Sequence, residues 1–504
     1  MILKRFGASL LGFALLLSSC DTAPSGLTIG AAVTAETQED SEGSATAIPE
    51  HPAYDPGSLV DYTAQAGDTL QGLAGRFNTS APEIRAANPN IPEDVTSLPP
   101  GMPMQIPIYY RAYWGEAYKI LPDGLFVNGP SQVDFDTSGF VAVHEGWFKD
   151  YRGSAAKDVL SGAEIVDLVA TNFSISPQFL LALLEYQTGA LTKEQFDPSL
   201  RSYPLGHESQ FHRGVYLQLV WAANILNNAY YGWRAGKLIE FERPDGRLLR
   251  PDPWQTASSV ALQYLFSQTL DEEAFDLAIG PTGFAQSYAN LFGDPWAETS
   301  DHIPGSLRQP ELRLPMAPGE SWSFTGGPHT GWGQGEPWAA LDFAPGVEQR
   351  GCVDTDVWAR AVASGMIART GEGIVVLDLD GDGDERTGWV IFYLHLSSAG
   401  RVREGMRVAA GQPLGHPSCE GGSSTGTHAH LARKYNGEWM LAAGDIPFVM
   451  EGWIPQEGAA VYQGTLTKPG QLIRACSCSD AKSAIGSTEE VIDFPTPQPE
   501  TPEP

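Results

Sequence analysis

The spacing of apolar residues changes character near residue 300, and no single pair of packed layers accommodates both patterns. Upstream, segments such as Glu164–Phe173 and Pro177–Tyr186 place apolar residues at helical intervals. Downstream, short runs such as Val375-Val376-Leu377-Asp378-Leu379 and Trp389–His395 are bounded by Gly and Pro, as paired strands are. A chain of 504 residues, 42% hydrophobic, also exceeds one ordinary core. The pattern resolves into three folded units, about 58–108, 109–300 and 301–476, between two polar tails. The expected fold class is multidomain α+β: a small βααβ unit, a helical middle domain and a mainly antiparallel β-sheet domain.

The tails carry targeting information. Lys4 and Arg5 precede an apolar stretch, Phe6–Leu17, too short to span a bilayer comfortably. It runs into Leu17-Ser18-Ser19-Cys20, which resembles a bacterial lipobox. The resemblance implies lipidation at Cys20 and anchoring to the outer face of the cell membrane, facing the wall. A plain signal peptide with an incidental Cys is the alternative. Residues 21–57, rich in Ala, Thr, Ser, Gly, Glu and Pro, read as a flexible tether, and residues from Ser479 onward as a disordered acidic, Pro-rich tail. A net charge of −30 argues against nucleic acid as a partner.

In the first unit, Val60–Ala64 reads as a strand and Gly67-Asp68-Thr69-Leu70 as a turn entering a helix. Thr79-Ser80 opens a second helix, with Glu83 placed as in a capping box, and Asn88-Pro89 ends it. Gly101 to Pro107 returns as a strand. Tyr62, Gly67–Leu70, Phe77, Ile84, Asn88-Pro89, Gly101 and Ile106-Pro107 occur in the order of a LysM domain, which the segment resembles. That resemblance implies binding of N-acetylglucosamine-containing glycan near Gly67, Asp68, Thr69, Asn90 and Ile91. A small α/β spacer is the plainer reading.

The middle unit reads helical, with later segments at Val215–Trp233, Thr256–Gln268 and Phe284–Leu291. Ser176 to Gly189 resembles the catalytic-Glu helix of lysozyme-like lytic transglycosylases, which would make Glu185 a second, glycan-cleaving acid. Tyr186 departs from the Ser that usually follows. A Glu at the edge of a helical bundle explains the same residues.

The third unit carries the chemistry. Gly326-Gly327-Pro328-His329 with Leu341-Asp342-Phe343, Tyr393-Leu394-His395, and Thr427-His428-Ala429-His430 hold one Asp and four of the ten histidines. Two His separated by one residue point to the same side of a strand, so one binds metal while the other stands beside it. A hydrolytic zinc takes three protein ligands and leaves one position for water. The three fragments resemble, in family order, the lysostaphin-type and β-lytic zinc endopeptidases (the duplicated hybrid motif family). The resemblance implies His329, Asp342 and His430 as Zn2+ ligands, His395 and His428 as catalytic histidines, and peptide cross-links of peptidoglycan as substrate. The thirteen-residue step from His329 to Asp342 departs from the short form and looks like the β-lytic subgroup. Trp332 and Trp338, inside that step, either wall a substrate groove or pack.

Two features stand apart. Asp378-Leu-Asp380-Gly-Asp382-Gly-Asp384 resembles a calcium loop, incomplete because Trp389 occupies the twelfth position; a solvated acidic hairpin turn is the alternative to Ca2+. Cys352, Cys419, Cys476 and Cys478 allow three pairings. Pairing of Cys352 with Cys419 is expected, since both fall inside the third unit, and a Cys476/Cys478 zinc site lacks a second ligand pair nearby. The leading functional expectation is therefore an endopeptidase that cuts peptide cross-links of peptidoglycan and is targeted to the wall by the LysM unit. A non-catalytic regulator of other wall hydrolases, or a bifunctional enzyme using Glu185, are the alternatives.

Overall fold

The computed structural model describes residues 54–109, 115–297, 301–346, 351–477 and 481–488. Cys20, the segment preceding it and the tether up to residue 53 lie outside the described residues, as do 489–504. Among the described residues no helix is long and apolar enough to cross a membrane.

The first unit folds as its sequence indicates. Ser58–Thr63 pairs antiparallel with Pro103–Ile108, and the helices Leu70–Arg76 and Ala81–Ala87 pack on the ribbon through Tyr62, Leu73, Phe77, Ile84 and Ile106. Thr69 and Ser80 cap the two helices, each accepting a backbone N–H with its hydroxyl. The middle unit holds the helices Gly162–Phe173, Pro177–Thr188, Val215–Arg234, Ala257–Ser267 and Phe284–Phe292, together with the shorter Thr137–Ala142 and Glu272–Ile279. Ser161 and Glu164 form a reciprocal capping box at the first of these.

The third unit is built on an antiparallel sheet of nine strands among the described residues. Its order is Arg407–Val408, Gly365–Gly371, Ile374–Asp378, Trp389–Leu394, Ala429–Tyr435, Ala340–Pro345, Ser321–His329 and Ala484–Gly486, with Glu438–Trp439 also pairing to Ala429–Tyr435. The edge strand corrects one expectation. Residues 481–488 are not a disordered tail: Ile485 is buried opposite Trp322, and burial of that side chain holds the segment on the sheet. A three-stranded ribbon, Ile454–Glu457, Gly464–Lys468 and Gln471–Arg474, packs beside it. Cys352 and Cys419 are joined, closing a loop over a sequence separation of 67, worth about 4 kcal/mol in the chain-entropy account. Cys476 is itself disulfide-bonded, so it is no thiolate zinc ligand.

Strand alternation divides the sheet between two cores. Leu341, Phe343, Ile391, Tyr393, Ala429 and Leu431 point to one side, into a core made by the third unit alone. Ala340, Phe392, Leu394 and Ala432 point to the other, where they join the core of the helical unit. Asp342 and His430 are two residues from Ala340 and Ala432, so they share the face that the helices cover.

A charged joint ties the units together. Arg234, at the end of the long helix, pairs with Asp123 at 3.3 Å and with Glu438 at 3.1 Å, and donates to the Ala66 carbonyl of the first unit. Tyr230 and His302 also reach Glu438, at 2.9 and 2.6 Å. Burial alone would raise the Glu438 carboxyl, but the Arg234 guanidinium, with His302 and Tyr230, brings it from its ordinary 4.5 down to about 2. Glu385 is likewise buried, and Lys434 and Arg369 hold it at about 2. A carboxylate with a depressed folded pKa contributes stability above its unfolded pKa and loses it as pH falls. The protein is therefore expected to lose roughly 3 kcal/mol per carboxylate between about pH 4.5 and pH 2. Urea unfolding measured across that range checks this, and Glu438→Gln should flatten the dependence.

Candidate metal centre

Three strands bring the site together. His430 lies directly across from Asp342, which lies across from Gly326 on the strand that ends at His329. Cross-strand neighbours have Cβ atoms about 5 Å apart, so the pairing itself makes the side chains meet. The register slips between Gly326 and His329, which re-aims the imidazole. Gly326 is required there because the Asp342 carboxylate occupies the space a Cβ would take.

His329 Nδ1–H donates to the Gly327 carbonyl at 2.8 Å, and His430 Nε2–H donates to the Gly331 carbonyl at 3.1 Å. A carbonyl only accepts, so each bond fixes the tautomer and turns the other nitrogen's lone pair inward. His329 Nε2 and His430 Nδ1 stand 3.0 Å apart, and each lies 3.2 Å from Asp342 Oδ1. That oxygen is buried and has no hydrogen-bond donor. Three acceptor atoms facing one point require a proton or a cation among them. Burial would lower His329, yet the Asp342 charge raises it; Asp342, despite its burial, is held well below the usual carboxylate range by His329 and His428. Two imidazole nitrogens and one carboxylate oxygen, all buried, suit zinc better than a hard cation such as calcium.

Two further imidazoles border the trio. His395 follows its strand directly, at φ +65°, and its Nδ1–H donates to the Glu420 carbonyl at 2.8 Å. Burial, with His428 and His430 adding, pushes His395 down to about 4. His428 Nδ1–H donates to the Gly426 carbonyl at 2.8 Å, placing Nε2 3.6 Å from Asp342 Oδ1. The rings of His395 and His428 lie 4.6 Å apart. All five residues singled out from the sequence thus meet in one place.

Tyr462 was not legible in the sequence. Its ring stacks on His329 at 4.2 Å and 27°, and remains half exposed at the rim. It belongs to no motif and arrives from a connection between two ribbon strands; only its φ of +67° marks it, and that appears with the fold. Trp332 packs edge-on against Phe392 in the core, and Trp338, half-buried, lies under Lys237.

Other candidates fare differently. Glu185 accepts from Leu191 N–H at 2.7 Å and from the Thr192 hydroxyl at 2.5 Å. It closes the turn after its helix, the helix-edge role that the sequence also allows. Asp378, Asp380 and Asp382 converge within 4.8 Å, whereas Asp384 turns to Arg386 at 2.6 Å. Their oxygens accept from the backbone of their own turn, as at Asp380 N–H and Gly383 N–H. In the first unit Asp68 is fully buried, bonded to Tyr62 and paired with Arg76, so it acts as a strut and presents nothing to a glycan. Asn90 is exposed and Ile91 buried; Gly67 and Thr69 line a cavity of about 370 Å³ where the three units meet.

Known proteins match along the same divisions. Residues 62–107 match the LysM domain family, and residues 119–305 match the family described as LasA, N-terminal domain. The second match replaces a lysozyme-like assignment for the helices. Protease LasA of Pseudomonas aeruginosa is 27% identical over 342 residues, covering 64% of this chain and 75% of LasA. The β-lytic metalloendopeptidase of Achromobacter lyticus is 30% identical over 136 residues, covering 25% of this chain and 34% of that protein. The solved structure of the M23 metalloprotease pseudoalterin, from the deep sea, overlaps 33% of this chain and 96% of its own, at 24% identity and a TM-score of 0.29.

Proposed function

We propose that this chain, a metalloendopeptidase homologous to LasA and the M23 (β-lytic and lysostaphin-type) peptidases with a LysM domain ahead of the catalytic unit, is a zinc-dependent hydrolase of peptide cross-links in bacterial peptidoglycan. The observation that carries the zinc reading is the convergence of two imidazole lone pairs on an otherwise unpartnered, buried carboxylate oxygen. Zinc bound by His329, Asp342 and His430 would supply the Lewis acidity that activates water and polarises the scissile carbonyl. His395, neutral at pH 7, accepts the proton that the attacking water gives up, and its tautomer is held ready by Glu420. His428 presents Nε2 beside the trio, where it is a second acceptor for a proton of the attacking water. Burial and the Asp342 charge raise the Tyr462 phenol, so it remains a protonated donor at the rim.

The LysM domain supports a role in holding the enzyme on wall glycan. The Leu17-Ser-Ser-Cys20 sequence supports lipid anchoring at the outer face of the membrane. Retention of all five site residues weighs against a non-catalytic regulator. The test is digestion of purified peptidoglycan, with products resolved by mass and zinc content measured alongside. New peptide termini establish the activity and name the bond; a zinc-free, inactive protein would overturn the proposal.

A further inference from the structure

The two histidines beside the metal trio are aimed by carbonyls that lie outside the sheet. Glu420 and Gly426 belong to the connection between Pro413–Gly415 and Ala429–Tyr435. The carbonyls behind His329 and His430 have other supports. Gly327 lies in a strand, and Gly331 is braced by its own turn, its N–H donating to the Pro337 carbonyl at 3.1 Å. We propose that the Cys352–Cys419 bridge is a positioning element that aims His395 and His428 without acting on the metal trio. The proposal rests on the reading of these two histidines as proton acceptors beside a zinc centre.

The bridge sits where two connections meet. Cys352 belongs to the one between Ala340–Pro345 and Ala359–Arg360, and Cys419 to the one that carries both carbonyls. Glu420, whose carbonyl accepts from His395 Nδ1–H, directly follows Cys419. Ser418, which precedes it, donates its N–H and its hydroxyl to the His395 carbonyl, at 2.6 and 3.1 Å. His395 is therefore gripped at its ring and at its backbone by the two neighbours of one bridged cysteine. On the other side of the bridge, the Gly351 carbonyl accepts from Thr427 N–H at 3.0 Å. The Thr427 hydroxyl accepts from Val353 N–H at 2.8 Å and donates to the Val353 carbonyl at 2.6 Å. Thr427 stands between His428 and Gly426, the residue whose carbonyl orients it. The neighbours of Cys352 thus fix the second imidazole as those of Cys419 fix the first.

The composition of this segment shows why a covalent link matters. Three of the residues 420–427 are glycine, and none carries a large apolar side chain. Such a segment gains little from burial and loses much backbone freedom when it is ordered. Gly421 and Gly422 both take positive φ, +76° and +134°. The Glu420 carboxylate adds a local hold, accepting from the Ser398 N–H and hydroxyl at 2.8 and 2.6 Å. Those bonds tie it to the connection that follows His395, and not to residues 351–353. The span 419–427 is pinned on residues 351–353 at both ends, by the bridge at one and by Thr427 at the other. Opening the bridge frees one end, and a misplacement of about 1 Å in a group that takes part in the reaction costs about 10²-fold in rate.

The test compares the full wild-type chain with a double variant, Cys352→Ser with Cys419→Ser, and with Thr427→Val, which keeps the bridge and the side-chain shape but loses the hydroxyl. Three things are measured for each: zinc content, kcat and KM on a soluble cross-linked peptidoglycan fragment, and nitrogen NMR spectra of isotope-labelled histidines. The double variant is expected to hold as much zinc as the wild type and to keep KM within about twofold, while kcat falls at least about tenfold. Its His395 and His428 signals should change from one tautomer to a mixture, with those of His329 and His430 unmoved. A bridge that served stability alone would leave all four in place. Thr427→Val should disturb His428 more than His395, and it carries the test if the double variant does not fold. Wild-type kcat and single tautomers in the double variant, or wild-type His428 signals in Thr427→Val, would overturn the proposal. Loss of zinc from a folded double variant would also overturn it, by showing that the bridge acts on the trio. A wild type that holds no zinc and cleaves nothing would overturn the zinc reading, and the proposal with it.

Discussion

Replacement of His430 by Ala should strip zinc from the protein and lower cross-link cleavage by at least about 10³-fold. His430 supplies one of three inward-facing donor atoms, so its loss leaves two and opens the buried Asp342 to water. Asp342→Asn should act in the same direction, because it removes the negative charge while keeping the shape. Metal analysis of the dialysed proteins, beside rates on purified peptidoglycan, decides the matter. A His430→Ala protein that retains one equivalent of zinc, or cleaves at an unchanged rate, would show the ligand set to be wrong. A chelator applied to the wild type should also lower its melting temperature, since a metal that binds only the folded state contributes its binding free energy to folding.

His395→Ala should separate chemistry from metal binding. Its imidazole contributes no atom to the donor trio, so zinc content should stay at the wild-type level. The rate should fall by about 10² to 10⁴, the usual worth of a positioned general base or acid. Loss of zinc together with activity would place His395 in the coordination set and not beside it. His428→Ala is expected to behave in the same way. If one variant falls far more than the other, that difference apportions the two roles.

The site was legible because its residues announce themselves chemically. Histidine and aspartate on strand-like runs are costly to bury without a purpose, and His428 and His430 carry their shared side in a two-residue step. The helical unit was legible for a related reason: helical spacing over Val215–Trp233 is long enough to be unambiguous. What stayed hidden depends on contacts distant in sequence. Tyr462 reaches His329 from 133 positions away, through a connection with no pattern of its own. Glu185 stayed open between an acid and a helix-edge residue because a local stretch of helix does not reveal that Leu191 and Thr192 fold back onto it. Residues 484–486 read as tail because three residues are too few to show a period, and only the partner strand at Ser321 makes them a strand. The sharing of one sheet face between ligands and helices follows from alternation, but only once the helices are known to lie on that side.

The four imidazoles lean on Gly327, Gly331, Glu420 and Gly426, and in every case on a main-chain oxygen. No amino-acid replacement deletes a backbone carbonyl. Mutational drift in the surrounding side chains therefore has little purchase on the tautomers, and a protein engineer would find few outer residues with which to retune them. The vulnerable positions are instead those that set the course of the backbone. Three of the four carbonyls belong to glycines, and at Gly327 a side chain would run into the Gln463 backbone. Adaptation of this enzyme to a new cross-link should consequently appear in the rim, while Gly327 beneath His329 stays fixed.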